Sequence, residues 1–361
     1  MNKPIKMAVV GVGRIGVFHA RHVQALARET GNCELVAVCD TYADTAQRVA
    51  TELQANQDAR IHAFNNVADL AAANLIDGAL IASRTEDHEP DARTLIESGN
   101  RVLLEKPLTH SLESAEAFIA GLDSDPVHKN ALMQAFMRRF DAPLLKAKEL
   151  LEQNAIGEIF KIVSILEDPV PPPVGYNSPG LLTDMSVHNV DEILWLLDGQ
   201  LPEYAAAFGS NLYNSTISTV EEDYDDAFLQ MWFPGRLLGQ VSVSRNHVAG
   251  YRNATWIYGN KGVIHVGHFQ ENPLQVDVEA YGPDGIIHRE TINLRDYGPD
   301  VPVFITRFGE AYKNELAYFL NQCLTDAPFN VTQTDGLNAM RIAIAGTQAI
   351  CPKETALKIT Y

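Results

Sequence analysis

Three stretches of the chain carry residue types at spacings that could do chemistry. Glu105-Lys106-Pro107 follows the apolar run Val102-Leu103-Leu104. In an α/β protein such a run reads as a parallel strand covered on both faces. Ligands of open α/β sheets bind beyond the carboxyl ends of the strands, so Lys106 stands where a reacting group is met and Pro107 stiffens the backbone that carries it. Taken alone, the tripeptide reads more simply as a solvated loop lysine beside a turn proline. Asp184, His188 and Asp191 fall at i, i+4 and i+7 of a helical pattern, which puts three ionisable groups on one face near the helix start. That face suggests a site, and the plainer alternative is a solvated or capping pair. Gly11, Gly13 and Gly16, with Val12, Arg14 and Ile15 between them, form G-x-G-x-x-G between the apolar run 7–10 and a helical stretch 17–26. The first glycine allows a tight turn, the second lets backbone approach a pyrophosphate, and the third lets helix and strand pack closely. The helix N-terminus offers its N–H groups to the phosphates.

The elements around these residues alternate. A second strand over 34–39 ends at Asp40, where a carboxylate can accept both hydroxyls of an adenosine ribose and repel a 2′-phosphate. Thr41 and Tyr42 follow rather than a basic residue, which favours NAD over NADP. The alternative for Asp40 is a helix cap ahead of 43–53. Strands over 60–64 and 78–82, helices over 68–73, 88–98 and 108–122, with Ser111 or Ser114 as cap, and a last strand over 131–136 continue the period. Strand then helix throughout predicts a doubly wound parallel sheet with right-handed crossovers, a Rossmann arrangement. Residues 1–124 form this expected domain. Ser83, Arg84 and His88 open from the end of the fourth strand, and with Glu105 and Lys106 they border the nicotinamide half of a dinucleotide.

Residues 125–361 form an expected α+β domain. A helix over 143–153 leads to a strand over 159–166 and then to the proline-rich stretch 167–180, which can continue neither element. Strand candidates at 204–210, 225–233, 237–247, 251–258, 263–266, 274–280 and 286–294 are joined by turns such as Phe233-Pro234-Gly235-Arg236 and Gly259-Asn260-Lys261-Gly262. Such turns predict a large, mainly antiparallel open sheet. The acidic run Glu221-Glu222-Asp223 with Asp225-Asp226 reads as a solvated edge. Helical patterns over 304–324 and 335–350 close the chain. Tyr176, Asn189 and Tyr312 are pocket candidates, with core packing or a surface loop as their alternative.

A net charge of −18 over 361 residues argues against a nucleic-acid backbone or an anionic membrane surface as partner. The four cysteines lack C-x-x-C spacing and read as reduced residues of a cytoplasmic protein. No apolar run approaches the length of a membrane span. No His, Cys or carboxylate cluster of metal-ligand spacing completes a metal site around the helical Asp and His.

Taken in order, VVGVGRIG, Glu105-Lys106-Pro107, Asp184-x-x-x-His188-x-x-Asp191 and YGNKG resemble the Gfo/Idh/MocA family of NAD(P)-dependent oxidoreductases over essentially the whole chain. MRRFD at 137–141, IGE at 156–158 and RFGEAYKNE at 307–315 are most similar to the inositol 2-dehydrogenase branch. The resemblance implies that Lys106, Asp184 and His188 are the catalytic set. It also implies a polyol or sugar substrate, and a homodimer or homotetramer paired through the C-terminal sheet. Oxidising a secondary alcohol needs a group that takes the hydroxyl proton as hydride leaves, which suits His188, and a cation to hold the developing alkoxide, which suits Lys106. Asp184 would orient the histidine or bind a neighbouring hydroxyl. Ser83-Arg84-Thr85, Leu166-Glu167-Asp168 and PPPVG depart from the branch, and they leave the particular inositol or sugar open. Two other readings stand beside this one, an NADP-dependent aldose or keto-sugar reductase and a nucleotide-sensing protein without catalysis.

Overall fold

The computed structural model describes residues 3–169, 179–212, 223–267 and 272–350. The chain divides into two compact units. One is Met1–Met137 with Ala311–Leu337, the other Arg138–Glu310 with Asn338–Tyr361.

The first unit alternates as its sequence period requires. In chain order it holds β1 (Ile5–Val10), α1 (Gly16–Thr30), β2 (Cys33–Cys39), α2 (Ala43–Gln54), β3 (His62–Phe64), α3 (Val67–Ala72), β4 (Gly78–Ile81), α4 (Thr85–Glu97), β5 (Arg101–Leu104), α5 (Leu112–Asp123) and β6 (Leu132–Gln134). The strands lie in the order β3-β2-β1-β4-β5-β6, every neighbour parallel. This is the doubly wound sheet expected from the alternation. Strand order reverses between β1 and β4, and ligands of such sheets bind beyond the strand ends at that reversal. Met7, Val9, Leu80, Ile81, Leu103 and Leu104 are fully buried. Each aliphatic side chain so covered stabilises the sheet by about 1.5–3 kcal/mol. Helix α5 starts four residues later than the pattern over 108–122 suggests, because Ser111 takes the cap position and its Oγ accepts from Ser114 N at 3.2 Å.

Residues 311–337 return to this unit with no local signal to announce it. The Arg101 guanidinium donates to Gln322 O at 2.6 Å and Ala327 O at 2.7 Å and stacks 4.0 Å from the Phe329 ring centroid. Gln134 N donates to Val331 O at 3.2 Å, and Lys313 Nζ pairs with Glu29 at 2.7 Å.

The second unit holds α6 (Ala142–Glu152), β7 (Ile159–Glu167), α7 (Val187–Leu196), β8 (Tyr204–Ser210), β9 (Asp226–Trp232), β10 (Leu238–Ser244), β11 (Arg252–Gly259), β12 (Gly262–Val266), β13 (Gln275–Gly282) and β14 (Gly285–Asn293). Helices α8 (Val303–Thr325) and α9 (Gln333–Gln348) follow, each divided between the units. The eight strands lie in the order β14-β13-β12-β11-β7-β10-β9-β8, antiparallel except for the parallel pair β7 and β10. Alternation along each strand separates two faces. Ala207, Leu229, Met231 and Val241 are fully buried on one. On the other, Tyr204, Trp232 and Leu238 stand in register, as do Phe208 and Phe228.

Candidate active site

The glycine loop is built as its spacing demands. Gly11 has φ +76°, and a Cβ there would fall 2.4 Å from Ser83 N. At Gly16 a Cβ would fall 1.8 Å from Gly11 O, so both positions exclude any side chain. At Gly13 a Cβ would meet nothing within 4 Å. The first and third glycines therefore answer to packing, whereas the second borders open space where a pyrophosphate can approach the backbone. Asp40 stands just past β2. Its Oδ2 accepts from Val12 N at 3.0 Å and its Oδ1 from Tyr42 N at 3.0 Å. Helix α2 has Tyr42 at its cap position, so Asp40 is not the cap and its carboxylate is fixed against the glycine loop instead. An ionised carboxylate has about four acceptor positions, so it retains capacity for ribose hydroxyls. These residues fit a dinucleotide such as NAD: residues 11–16 for the pyrophosphate, Asp40 for the ribose.

Beyond β4 and β5 the same unit carries a second group of candidates. His88 is buried between the loop after β4 and the one carrying Lys106, with Nδ1 2.7 Å from Pro107 O and Nε2 3.1 Å from Ser83 O. Burial holds its pKa below the ordinary imidazole value, against the pull of the Pro107 carbonyl and the Glu105 charge. Ser83 Oγ donates to Asp91 Oδ2 at 2.8 Å. Burial pushes the Asp91 carboxyl up to about 6. Arg84 points to solvent and pairs with Glu86 and Asp87 at the start of its own helix. Glu105 is buried and bonded to His19 Nε2 at 2.8 Å, while its Oε2 accepts from Lys106 N at 3.1 Å. Burial alone would raise its pKa. The His19 hydrogen bond and charge, together with Lys106, outweigh that and hold it below the usual carboxylate range. Lys106 itself is half-buried. Tyr312 is buried edge-on to His19, ring centroids 5.4 Å apart.

The second unit holds Asp184, His188, Asn189 and Asp191, on a segment the sequence reads as one α-helix. The observed helix differs at its start. Leu182–Ser186 is a π turn, and α7 begins only at Val187. A π turn widens the backbone by one residue, and such turns recur at functional sites. His188 is buried just inside α7, and Asp184 sits on the π turn. Asp191, third on the expected face, is fully buried in a bidentate pair with Arg139, at 2.6 and 3.0 Å. Asn189 is fully buried and donates to Ser164 Oγ at 2.7 Å, so its amide faces the sheet. Tyr176 and most of the proline-rich stretch lie outside the described residues.

Buried ion pairs brace this helix and the segment at 138–141. Arg138 Nη1 pairs with Glu192 Oε2 at 2.6 Å, and Glu192 Oε1 also accepts from Ser164 Oγ at 3.2 Å and from Thr255 Oγ1. Arg307 holds Asp141 through two bonds of 2.7 and 2.8 Å. The MRRFD stretch and Arg307, quoted above as marks of resemblance, thus enter three buried ion pairs, with Arg138, Arg139 and Arg307 the cations and Asp141 the anion that Arg307 holds. A solvated edge at the acidic run is corrected for its described part. Asp223 and Asp225 are buried, and Asp223 accepts from Leu181 N at 2.7 Å, Tyr224 N at 2.8 Å and Arg245 Nη1 at 2.8 Å. Among the described residues no group of three or more His, Cys, Asp or Glu side chains is placed to hold a metal ion, and no helix is long and apolar enough to cross a membrane.

Known proteins extend this picture. The chain is 28% identical to the inositol 2-dehydrogenase of Rhizobium meliloti (strain 1021), over 97% of this chain and 98% of that one. It is 26% identical to the scyllo-inositol 2-dehydrogenase (NAD(+)) of Bacillus subtilis (strain 168), over 97% and 95%. Among solved structures, the scyllo-inositol dehydrogenase from Lactobacillus casei with bound cofactor NAD(H) and scyllo-inositol superposes with a TM-score of 0.77 at 25% identity, covering 96% of this chain and 97% of that one. A family model described as an oxidoreductase family with an NAD-binding Rossmann fold matches residues 5–128, and the model of the GFO/IDH/MocA C-terminal domain matches residues 144–265. With both of its halves matched in order, the chain belongs to the Gfo/Idh/MocA family of NAD-binding oxidoreductases.

Proposed function

We propose that this protein is a cytoplasmic NAD-dependent dehydrogenase that moves hydride between the nicotinamide and a secondary hydroxyl of a cyclic polyol, an inositol first of all. The observation that carries this reading is the fit of the glycine loop and Asp40 to a dinucleotide, in a chain similar over nearly all its length to enzymes named for inositol. The free thiols of Cys33, Cys39 and Cys323 suit a reducing compartment. NAD, when bound, accepts the hydride. Lys106, Asp184 and His188 are the catalytic set we assign. The His188 imidazole takes the hydroxyl proton, Lys106 Nζ holds the substrate oxygen as negative charge develops on it, and Asp184 orients the histidine or binds an adjacent hydroxyl. Ser83, His88 and Glu105 hold the two loops beside the nicotinamide half.

An NADP-dependent reductase is not favoured, because a 2′-phosphate would meet the Asp40 carboxylate. A silent sensor is not favoured either, because it has no chemical use for Lys106 and His188 together. The test is to incubate the protein with NAD or NADP and a panel of inositols and aldoses and to follow reduced-cofactor absorbance. Turnover with NAD and at least one inositol is expected. Reduction of neither nucleotide by any member of the panel would end this reading.

A second copy of the chain is the partner we assign to the open face of the large sheet. Tyr204, Phe208, Phe228 and Trp232 are 70%, 55%, 50% and 42% exposed there, and large side chains in register at that exposure mark a surface to be covered. A dimer or tetramer should appear in size exclusion with light scattering, and Phe228→Glu with Trp232→Glu should dissociate it. A wild-type monomer at micromolar concentration would remove this assignment.

A further inference from the structure

Arg245 follows β10, and its N–H donates to Asp225 O at 2.8 Å. Its guanidinium is buried between two carboxylates, Nη1 2.8 Å from Asp223 Oδ2 and Nη2 3.3 Å from Asp184 Oδ2. The other oxygen of Asp223 accepts from Leu181 N at 2.7 Å. Leu181 immediately precedes the π turn that carries Asp184, and Asp184 N donates to Gly180 O at 2.9 Å. These contacts form a closed circuit. Asp223 grips the backbone where the turn begins and grips the guanidinium, and the guanidinium grips the side chain in the middle of the turn. A planar guanidinium bonds two carboxylates in fixed directions, so rotation of either is resisted, and the bonds are strengthened by charge. The shorter contact lies on the Asp223 side. Asp223 is therefore the anchor, and Asp184 the group being set.

We propose that Arg245, held by Asp223, is a positioning residue that fixes the orientation of the Asp184 carboxylate for the reaction. This rests on the reading of Asp184 as a member of the catalytic set. Misplacing a reacting group by about 1 Å can cost roughly 100-fold in rate, and the loss of one positioning contact should cost about 10- to 100-fold.

The experiment compares Arg245→Met, Arg245→Lys, Asp184→Asn and the double variant Arg245→Met/Asp184→Asn, with NAD and the polyol that turns over best. Arg245→Met should lower kcat about 10- to 100-fold with NAD affinity unchanged, and Arg245→Lys, which keeps the charge but not the planar fork, should recover part of that loss. On the Asp184→Asn background the same Arg245→Met substitution should cost less than about two-fold, because its route of action is already gone. If the Arg245→Met variants do not fold, Asp223→Asn serves instead. Its amide oxygen still receives Leu181 N while the charge partner of Arg245 is removed, and a smaller fall in kcat is expected. An equal penalty in both backgrounds, or Arg245→Lys performing no better than Arg245→Met, overturns the proposal. So does a crystal structure of Arg245→Met with the Asp184 carboxylate unmoved, a result that does not depend on activity. Should Asp184→Asn turn over like wild type, it is the catalytic reading of Asp184 that has failed, and the proposal fails with it.

Discussion

The two units hold their candidate residues by opposite means. In the first, the candidates are held largely by main chain: a tight glycine loop, the carbonyls of Ser83 and Pro107 on His88, and backbone N–H groups on Asp40 and Glu105. In the second, side-chain ion pairs do the holding, with Arg138, Arg139, Arg245 and Arg307 each closed on a carboxylate. Backbone groups can do such holding in any sequence whose turns are right, and here they hold one carboxylate, Asp40, against the glycine loop. A helix carrying buried acids needs specific cations brought from distant segments. The first design is intolerant of added atoms, and the second is intolerant of lost charges.

That contrast can be broken by experiment. The largest effects should come from Lys106→Ala and His188→Ala, one in each unit. Both should lower turnover by about 100- to 10,000-fold, the range for loss of a charge-stabilising group or a general base, while NAD binding by fluorescence titration stays near wild type. Unaltered turnover in either variant would remove it from the catalytic set. Next, Arg138→Ala should destabilise the protein by about 3–5 kcal/mol in urea unfolding, because it leaves Glu192 fully buried without its cation. Gly13→Ala is the contrasting case. Its Cβ has room, so unfolding should be unchanged while NAD affinity falls at least about tenfold, roughly 1.4 kcal/mol. If Arg138→Ala proved neutral to stability, or Gly13→Ala to NAD binding, the division of labour would be wrong. Asp40→Ala should weaken NAD by a comparable factor, about 10- to 150-fold for hydrogen bonds to a charged group worth about 1.5–3 kcal/mol, and should relax discrimination against NADP. An unchanged cofactor ratio would show that the carboxylate serves only the loop.

The smallest effect concerns pH. Asp91 titrates near 6 in the folded chain against 3.8 for an ordinary aspartate. Between those values the native state keeps a proton that the unfolded state has released, so this group's contribution to stability falls as pH rises through the window and is level above it. Asp91→Asn should therefore gain in Tm relative to wild type from about pH 4 to 6, by a few degrees at most. A difference that does not vary over this range would mean that Asp91 ionises normally.

Much of the first unit was readable because its determinants are local. A glycine spacing, an apolar run and a helical period each lie within a few residues, and right-handed crossovers then restrict the strand order. The second unit's strands were readable for the same reason, through alternation and turn residues. Its site was less so. The π turn at 182–186 differs from an α turn by one residue and leaves no mark on side-chain periodicity. Asp191 looked like a third member of a functional face because nothing in its neighbourhood shows that Arg139 will arrive from 52 positions away. Asp223 looked solvated for the same reason, its guanidinium being 22 positions downstream. Charge partners at such separations are set by tertiary packing, which composition and period do not encode.

The return of 311–337 to the first unit bears on how the protein can be cut and recombined. The carbonyls that receive the Arg101 guanidinium, the Phe329 ring beneath it, and the Val331 carbonyl that extends the edge at Gln134 all leave the ribosome after the entire second sheet has been made. The nucleotide-binding half is therefore not a cassette that can be excised at residue 137 and grafted elsewhere intact. A chimera that exchanges it must carry both pieces, and the nascent chain must keep its opening strands waiting until the second piece emerges.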